Sequence, residues 1–335
     1  MNKGIWAVVA LLVAAVVTVV VVRKQQSESE SPNGGATTQA SMLTIVVIPK
    51  GTSHAYWKSV EAGADQAGKD LGVTIIYKGP VQEDDRAGQI SLVEQFITDN
   101  VSGIVLAPLD DTALLPPVQS ATQKKIPVII IDSALKGDVG KDFLSYVGTN
   151  NRLAGKMGGD ELAKILGGQG KYFLLRYVEG SASTTDREQG FLDAMAQNAG
   201  LKPVMDNFLY GGASVSEAQK TSMNLLDKIQ SADGIFCPNE SSTLGMLNVL
   251  EQNNLTGKKH FVGFDATPPL VEALKKGEID ALVSQDPTKM GYEGVKACVG
   301  AIRGQAPQPN IDSGVQLITR DNLNTPEVQK LLSGG

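Results

Sequence analysis

FVGFDATPPLVEALKKGEIDALVSQDPTKMGYEGV, residues Phe261–Val295, decides how the rest of the chain is read. A short apolar run ends in an acid (FVGFD) and a helix follows; a second apolar run (ALVSQ) ends in an amide, before Asp286-Pro287 opens another helix. Strand, helix, strand is the alternation that builds a parallel sheet. Ligands of such sheets sit beyond the carboxyl ends of the strands, and Asp265 and Gln285 occupy two of those ends. A carboxylate that accepts, beside an amide that both accepts and donates, can grip neighbouring hydroxyls. Alone, Asp265 reads as a helix cap and Gln285 as the start of a loop. Two polar groups at successive strand ends point to a ligand.

The same alternation extends in both directions. TIVVIP (Thr44–Pro49) is expected as a strand, Lys58–Leu71 as a helix, VTIIY as a strand ending at Tyr77, and Asp85–Asn100 as a helix. GIVLA then leads to Ala107, and a helix through Pro117 to Lys125 precedes VIIID, which ends at Asp132. These strands are continuous apolar runs, as expected where helices cover both faces of a sheet. A first α/β domain is read from about Met42 to Val147. The pattern restarts with a helix over Asn151–Leu166, the strand KYFLLRY and a helix over Asp186–Ala199. It continues with PVMDNFLY as a strand, Ser216–Gln230 as a helix, GIFC as a strand and Ser242–Gln252 as a helix. Two similar α/β halves place a cleft between them.

Composition excludes several functions. A chain of 335 residues has two domains as its natural prior. The net charge of −6 lacks the basic face that nucleic acid requires. Two histidines, His54 and His260, and two cysteines, Cys237 and Cys298, provide no zinc cluster and no CxxC pair. Both cysteines lie in apolar contexts and read as buried thiols. No GxSxG, HExxH, Walker A or GxGxxG motif stands in the required setting, so neither an enzyme nor a cofactor or metal is expected.

The amino terminus is different in kind. Ile5–Val22 is an apolar run of 18 residues interrupted only by Thr18, flanked by Lys3 and by Arg23-Lys24. That length suffices to span a bilayer with help from its flanks. The nearest small-x-small site, Thr38-Gln39-Ala40, is distant from the run, and no cysteine is close enough for a lipid anchor. Residues 1–24 therefore read as a retained signal anchor, with a cleaved signal as the alternative, and residues 25–41 as a polar linker.

The polar groups at the remaining strand ends complete the candidate set. His54, Tyr56 and Trp57 follow the first strand, where the two aromatics can stack on the apolar face of a sugar ring. Asp132 closes the fourth strand, Asn239 follows GIFCP, and Arg187 lies behind the loop EGSASTTD (Glu179–Asp186). Arginine offers several donors in a fixed plane, although a salt bridge to Asp186 or Glu188 is the ordinary reading for Arg187 taken alone. Ser183, Thr184 and Thr185 read as caps. Glu240 and Ser133 are placed at the rim.

GTSHAYWKSVEAGA, GIVLAPLDDTAL, IPVIIIDS, YVGTNNRLAGKMGG, EGSASTTDREQGF, GIFCPNESSTLGML, VGFDATP and LVSQDPTKMGYEGV, in this order and spacing, carry a resemblance. From Leu43 to about Leu332 the chain resembles a periplasmic solute-binding protein of the ribose-binding type, which serves ABC importers. The resemblance implies a type I periplasmic binding protein fold: two Rossmann-like lobes with parallel sheets, joined by a three-crossing hinge. It puts the crossings near Thr149, Gln285 and Asp312–Gly314. The lobes would then comprise residues 42–149 with 286–312, and 150–285 with 313–335. It also implies ligand contacts at His54, Tyr56, Trp57, Asp132, Arg187, Asn239, Asp265 and Gln285. Two departures concern the ligand: Ala107 stands where the ribose-binding pattern has asparagine, and Ser133 where it has arginine. The aromatic expected near Gly212–Ala213 is missing, and Tyr210 is its candidate substitute.

The expected function is extracytoplasmic capture of a sugar or polyol by a monomer that closes its lobes and delivers the ligand to an ABC permease. A membrane-tethered sensor signalling to a chemoreceptor or kinase is the alternative. A LacI-type regulator shares the fold, but here an apolar span stands in place of a helix-turn-helix.

Overall fold

The computed structural model describes residues 42–334. The expected anchor and linker lie outside the described residues. Among the described residues, no helix is long and apolar enough to cross a membrane.

The first sheet begins with β1 (Thr44–Ile48), β2 (Thr74–Tyr77), β3 (Gly103–Leu106), β4 (Val128–Ile131) and β5 (Ser145–Gly148). Late in the chain β11 (Asn310–Asp312) joins its edge, giving the order β11-β5-β4-β3-β1-β2 with every pair parallel. Along β1 the side chains alternate between two cores: Ile45 and Val47 join one apolar cluster, Val46 and Ile48 the other. Both faces are covered, which is why these strands are apolar without polar alternation. The first cluster lies under α1 (Ala55–Leu71) and α10 (Pro287–Ile302), the second under α2 (Arg86–Thr98) and α3 (Leu115–Gln123). Helix α1 stops at Gly72, whose φ of 66° is the left-handed cap that glycine adopts without a steric cost.

The second sheet repeats this plan. It contains β6 (Gln169–Leu174), β7 (Gly200–Pro203), β8 (Gly234–Phe236), β9 (His260–Phe264), β10 (Ala281–Gln285) and β12 (Val315–Thr319). Its order is β12-β10-β9-β8-β6-β7, parallel except that β12 runs antiparallel to β10. The helices of this half are α4 (Asn151–Ile165), α5 (Ala182–Ala196), α6 (Val215–Asn224), α7 (Leu226–Ser231), α8 (Glu240–Gln252), α9 (Pro268–Lys276) and α11 (Pro326–Leu332). Both sheets therefore show the 2-1-3-4-5 doubly wound order, in which ligands sit where the strand order reverses.

The chain passes between the sheets three times, after β5, after β10 and between β11 and β12. The crossings are adjacent: Asp312 is registered with Gly148, and Gln285 with Val315. Thr149 ties them together, its hydroxyl donating to Gln285 Oε1 at 3.0 Å and lying 3.4 Å from both Ser313 Oγ and the Gly314 carbonyl.

Several expected elements change. PVMDNFLY is not a strand; β7 comprises only Gly200–Pro203, and Val204 and Met205 turn onto the core while Phe208 packs against Tyr172 and Phe173. Tertiary packing consumes the apolar residues that read as a strand. The helix expected over Ser216–Gln230 breaks at Leu225 into α6 and α7. Helix α5 starts at Ala182, four residues before the expected Asp186. β11, β12 and α11 carry too little periodicity to be read. Both cysteines are free and buried, as expected.

Candidate functional site

The fourth strand of each sheet ends in an aspartate with a left-handed backbone: Asp132 after β4 has φ 63°, and Asp265 after β9 has φ 67°. Each keeps its N–H in the sheet, Asp132 donating to the Val147 carbonyl at 3.0 Å and Asp265 to the Val283 carbonyl at 2.8 Å. A non-glycine residue in this region costs about 1–3 kcal/mol, and such strain collects at functional sites. The two strand ends face one small cavity, lined from both lobes.

From the first lobe, Lys50 follows β1, and its ammonium lies 2.7 Å from Asp132 Oδ2. Tyr56, at the start of α1, donates its hydroxyl to Asp132 Oδ1 at 3.1 Å. Its neighbour Trp57 packs edge-on against it, centroids 5.0 Å apart, and donates its indole N–H to Glu83 Oε1 at 2.7 Å. His54 Nδ1 lies 2.6 Å from the same Glu83 oxygen.

From the second lobe comes Arg187 on α5. Gly155 on α4 makes its placement possible: a Cβ there would collide with the Arg187 backbone, and one at Gly190 would collide with the Arg152 carbonyl. The two helices cross at backbone contact, and Arg187 is thrust under the strand ends. Its Nε donates to Asn151 Oδ1 at 2.8 Å and its Nη1 to the Pro238 carbonyl at 3.0 Å, while the Phe264 ring lies 4.0 Å from Cζ. Nη2 is buried and has no hydrogen-bond partner among the described residues. Asp265 accepts from the Glu240 N–H and from Gln285 Nε2, both at 2.9 Å.

The electrostatics follow from burial and pairing. Burial disfavours the His54 imidazolium, but the Glu83 charge and hydrogen bond outweigh it and raise the pKa above the ordinary value. Burial likewise opposes ionisation of Glu83, yet His54, Lys50 and the Trp57 N–H together hold its carboxyl well below the usual range. Asp265 is the contrary case. Burial pushes its carboxyl up to about 6, with Glu240 adding to the rise and Arg187 and the Gln285 hydrogen bond only partly offsetting it.

All eight residues singled out in the sequence, His54, Tyr56, Trp57, Asp132, Arg187, Asn239, Asp265 and Gln285, line this cavity, each less than a tenth exposed. Asn239 also serves α8, its side-chain oxygen accepting from the Ser242 N–H at 3.3 Å, so most of its capacity is spent as a cap. Of the two acids that the ordinary reading of Arg187 taken alone would pair with it, Asp186 and Glu188, Glu188 pairs instead with Arg176 at 2.7 Å. Ser183 and Thr184 are lining residues, not caps, because α5 starts earlier than expected. Tyr210 does not reach the cavity; it lies under the Arg176 guanidinium, 4.1 Å from its centroid. Lys50, Glu83 and Tyr177 were missed, although Lys50 and Tyr177 both follow strands and strand-end position could have found them.

Ala107 is fully buried with its carbonyl bonded to Gln89 at 2.8 Å, and Lys50 supplies beside Asp132 a cation that Ser133 does not. Among the described residues, no group of three or more His, Cys, Asp or Glu is placed to hold a metal ion. What the cavity offers is a ring of paired donors and acceptors with aromatic walls, a chemistry of hydroxyl recognition.

Comparison with known proteins agrees with this architecture. Residues 45–306 match the periplasmic binding protein domain family. The ribose import binding protein of Salmonella typhimurium is 27% identical over 283 residues, 83% of this chain and 90% of the relative. A solute-binding protein from Agrobacterium vitis, solved with bound D-fucose, superposes with a TM-score of 0.83 at 33% identity, covering 86% of this chain and 99% of that one. A carbohydrate transporter solute-binding protein from Agrobacterium radiobacter, in complex with D-arabinose, gives 0.82 at 31% identity over 88% and 99%.

Proposed function

The chain belongs to the periplasmic binding protein domain family, and from that premise we propose that it captures a sugar or related polyol outside the cytoplasm for an ABC importer. It acts by binding rather than by catalysis, as its relatives named above do. One observation carries the choice of ligand. Arg187 Nη2 is buried without a partner among the described residues, at a cavity where two aspartates approach from opposite lobes. A buried donor of this kind calls for an acceptor, and a hydroxyl that accepts from Arg187 can donate to a carboxylate at the same time.

The lobes divide at the three crossings, into residues 42–149 with 286–312 and residues 150–285 with 313–335. A ligand that touches Asp132 and Asp265 together interacts best when the lobes are shut, and this difference in affinity is what drives closure. The apolar run at residues 5–22 tethers the protein to the membrane beside its permease, and the monomer delivers one ligand at a time. Mass spectrometry of the mature amino terminus tests the tether: a chain beginning beyond Val22 refutes it.

The capture reading is tested by thermal unfolding against D-ribose, D-allose, D-arabinose, D-fucose and myo-inositol, followed by calorimetry on each compound that stabilises. A ligand at 100 times its Kd adds about 2.7 kcal/mol. Failure of every neutral sugar and polyol to shift the transition refutes the proposal.

A further inference from the structure

Two carboxylates at the cavity bind across the cleft. Helix α1 has 17 residues but no cap of its own: His54, at the N-cap position, makes no side-chain capping bond, and no acidic residue stands in the first turn. Glu240, from the second lobe, supplies the missing acceptors. Its Oε1 takes the Ala55 N–H at 3.2 Å and its Oε2 the Tyr56 N–H at 3.0 Å. An anion at an uncapped helix amino terminus satisfies free N–H groups and the helix dipole together. In the reverse direction Glu83, from the first lobe, accepts the Tyr177 hydroxyl of the second lobe at 2.7 Å.

We propose that Glu240 and Glu83 form a reciprocal clasp that holds the lobes together and governs how fast a captured ligand leaves. The proposal deepens the capture reading for the same cavity. Both residues are positioning residues. Glu240 acts through the first turn of α1, which carries Tyr56 and Trp57, and Glu83 orients Trp57 through its indole N–H. Every bond of the clasp joins protein to protein. The shut arrangement is therefore stabilised before a ligand contributes, and an incoming ligand needs to supply less differential affinity to complete the shift.

The test uses the full chain in detergent micelles, spin-labelled at Asp65→Cys on α1 and Lys220→Cys on α6; both positions are exposed, and the native cysteines are buried. Pulsed dipolar distances are measured first with no sugar present. The chain with an intact clasp is expected to show a short-distance population. Glu240→Ala removes two hydrogen bonds to a charged group, each worth about tenfold or more, and is expected to lower the shut-to-open ratio by about a hundredfold. Tyr177→Phe, which removes a single oxygen, is expected to lower it in the same direction and decides the matter if Glu240→Ala fails to fold. With a stabilising sugar bound, both variants should release it faster in stopped-flow displacement. Unchanged distances in the folded variants overturn the clasp, as does the lack of any short-distance population in the intact chain without sugar. These distances need no ligand, so failure of every sugar to bind refutes the capture reading and leaves this result standing.

Discussion

Asp265→Asn separates the cost of a buried charge from its use. The carboxyl of Asp265 is raised from 3.8 to about 6, chiefly by burial. Each tenfold change in proton affinity is worth about 1.4 kcal/mol, so keeping this group ionised in the fold costs on the order of 3 kcal/mol. Asparagine tolerates the left-handed backbone that Asp265 requires, so the substitution adds little strain. It does replace one acceptor by a donor, and either the Glu240 N–H or the Gln285 amide loses its partner. That loss costs roughly 1–3 kcal/mol. At about pH 7.5 the variant should match or exceed the parent in stability by about 1 kcal/mol. The sign of the pH dependence follows from linkage. The folded pKa is above the unfolded one, so between about 6 and 3.8 the folded protein binds the extra proton and stability rises as pH falls. The variant lacks this gain. Urea unfolding of both proteins should show the parent gaining about 2 kcal/mol on the variant between about pH 7.5 and pH 4.5. Sugar affinity should meanwhile fall at least about tenfold in the variant at neutral pH. A stability gap that is constant across this pH range would refute the reasoning.

Arg187→Lys keeps the charge but loses the planar fork that reaches Asn151, Pro238 and the cavity together; calorimetry should show affinity reduced about tenfold or more. Trp57→Ala removes an aromatic wall and leaves one oxygen of Glu83 without its indole donor, so sugar affinity should fall by about ten- to hundredfold, read by the same titration. Gly155→Ala forces α4 away from α5 and should destabilise the fold by roughly 1–3 kcal/mol in urea while displacing Arg187 and weakening binding.

The fold was legible because a parallel sheet covered on both faces writes each strand as an unbroken apolar run, and such a strand delivers whatever follows it to the ligand side. Asp132, Asp265, Gln285 and the aromatic pair after β1 were found on that logic alone. Lys50 obeys the same rule and was missed, since a lysine after a strand reads as solvated until Asp132 is seen 2.7 Å away. Glu83 is less visible still: it begins the acidic run Glu83-Asp84-Asp85, of which it alone is buried, and no period in the sequence marks it out. Ser183 was lost to a boundary. Serine and threonine favour caps over helix interiors, so SASTTD reads as a loop before a helix, whereas α5 already begins at Ala182. Tyr210 failed as a ring wall because β7 ends at Pro203 and the chain beyond it runs outside the cavity.

Gln285 joins the site to the crossings. It is the last residue of β10, and Asp286-Pro287 redirects the chain into α10 on the first lobe. Proline fixes its own φ and bars the preceding residue from helix, so the turn is a defined joint rather than a slack one. The Gln285 amide donates to Asp265 at 2.9 Å and accepts from the Thr149 hydroxyl at 3.0 Å, and Thr149 stands on the first crossing beside the third. A ligand that draws on Asp265 therefore pulls on a residue that is itself a crossing, with a single side chain between them. Because the amide has one donor side and one acceptor side, it cannot turn over to favour one partner without losing both bonds. The orientation of Asp265 and the geometry of the crossings are in this way set together, and the strained backbone at Asp265 is held by the same network that joins the two sheets.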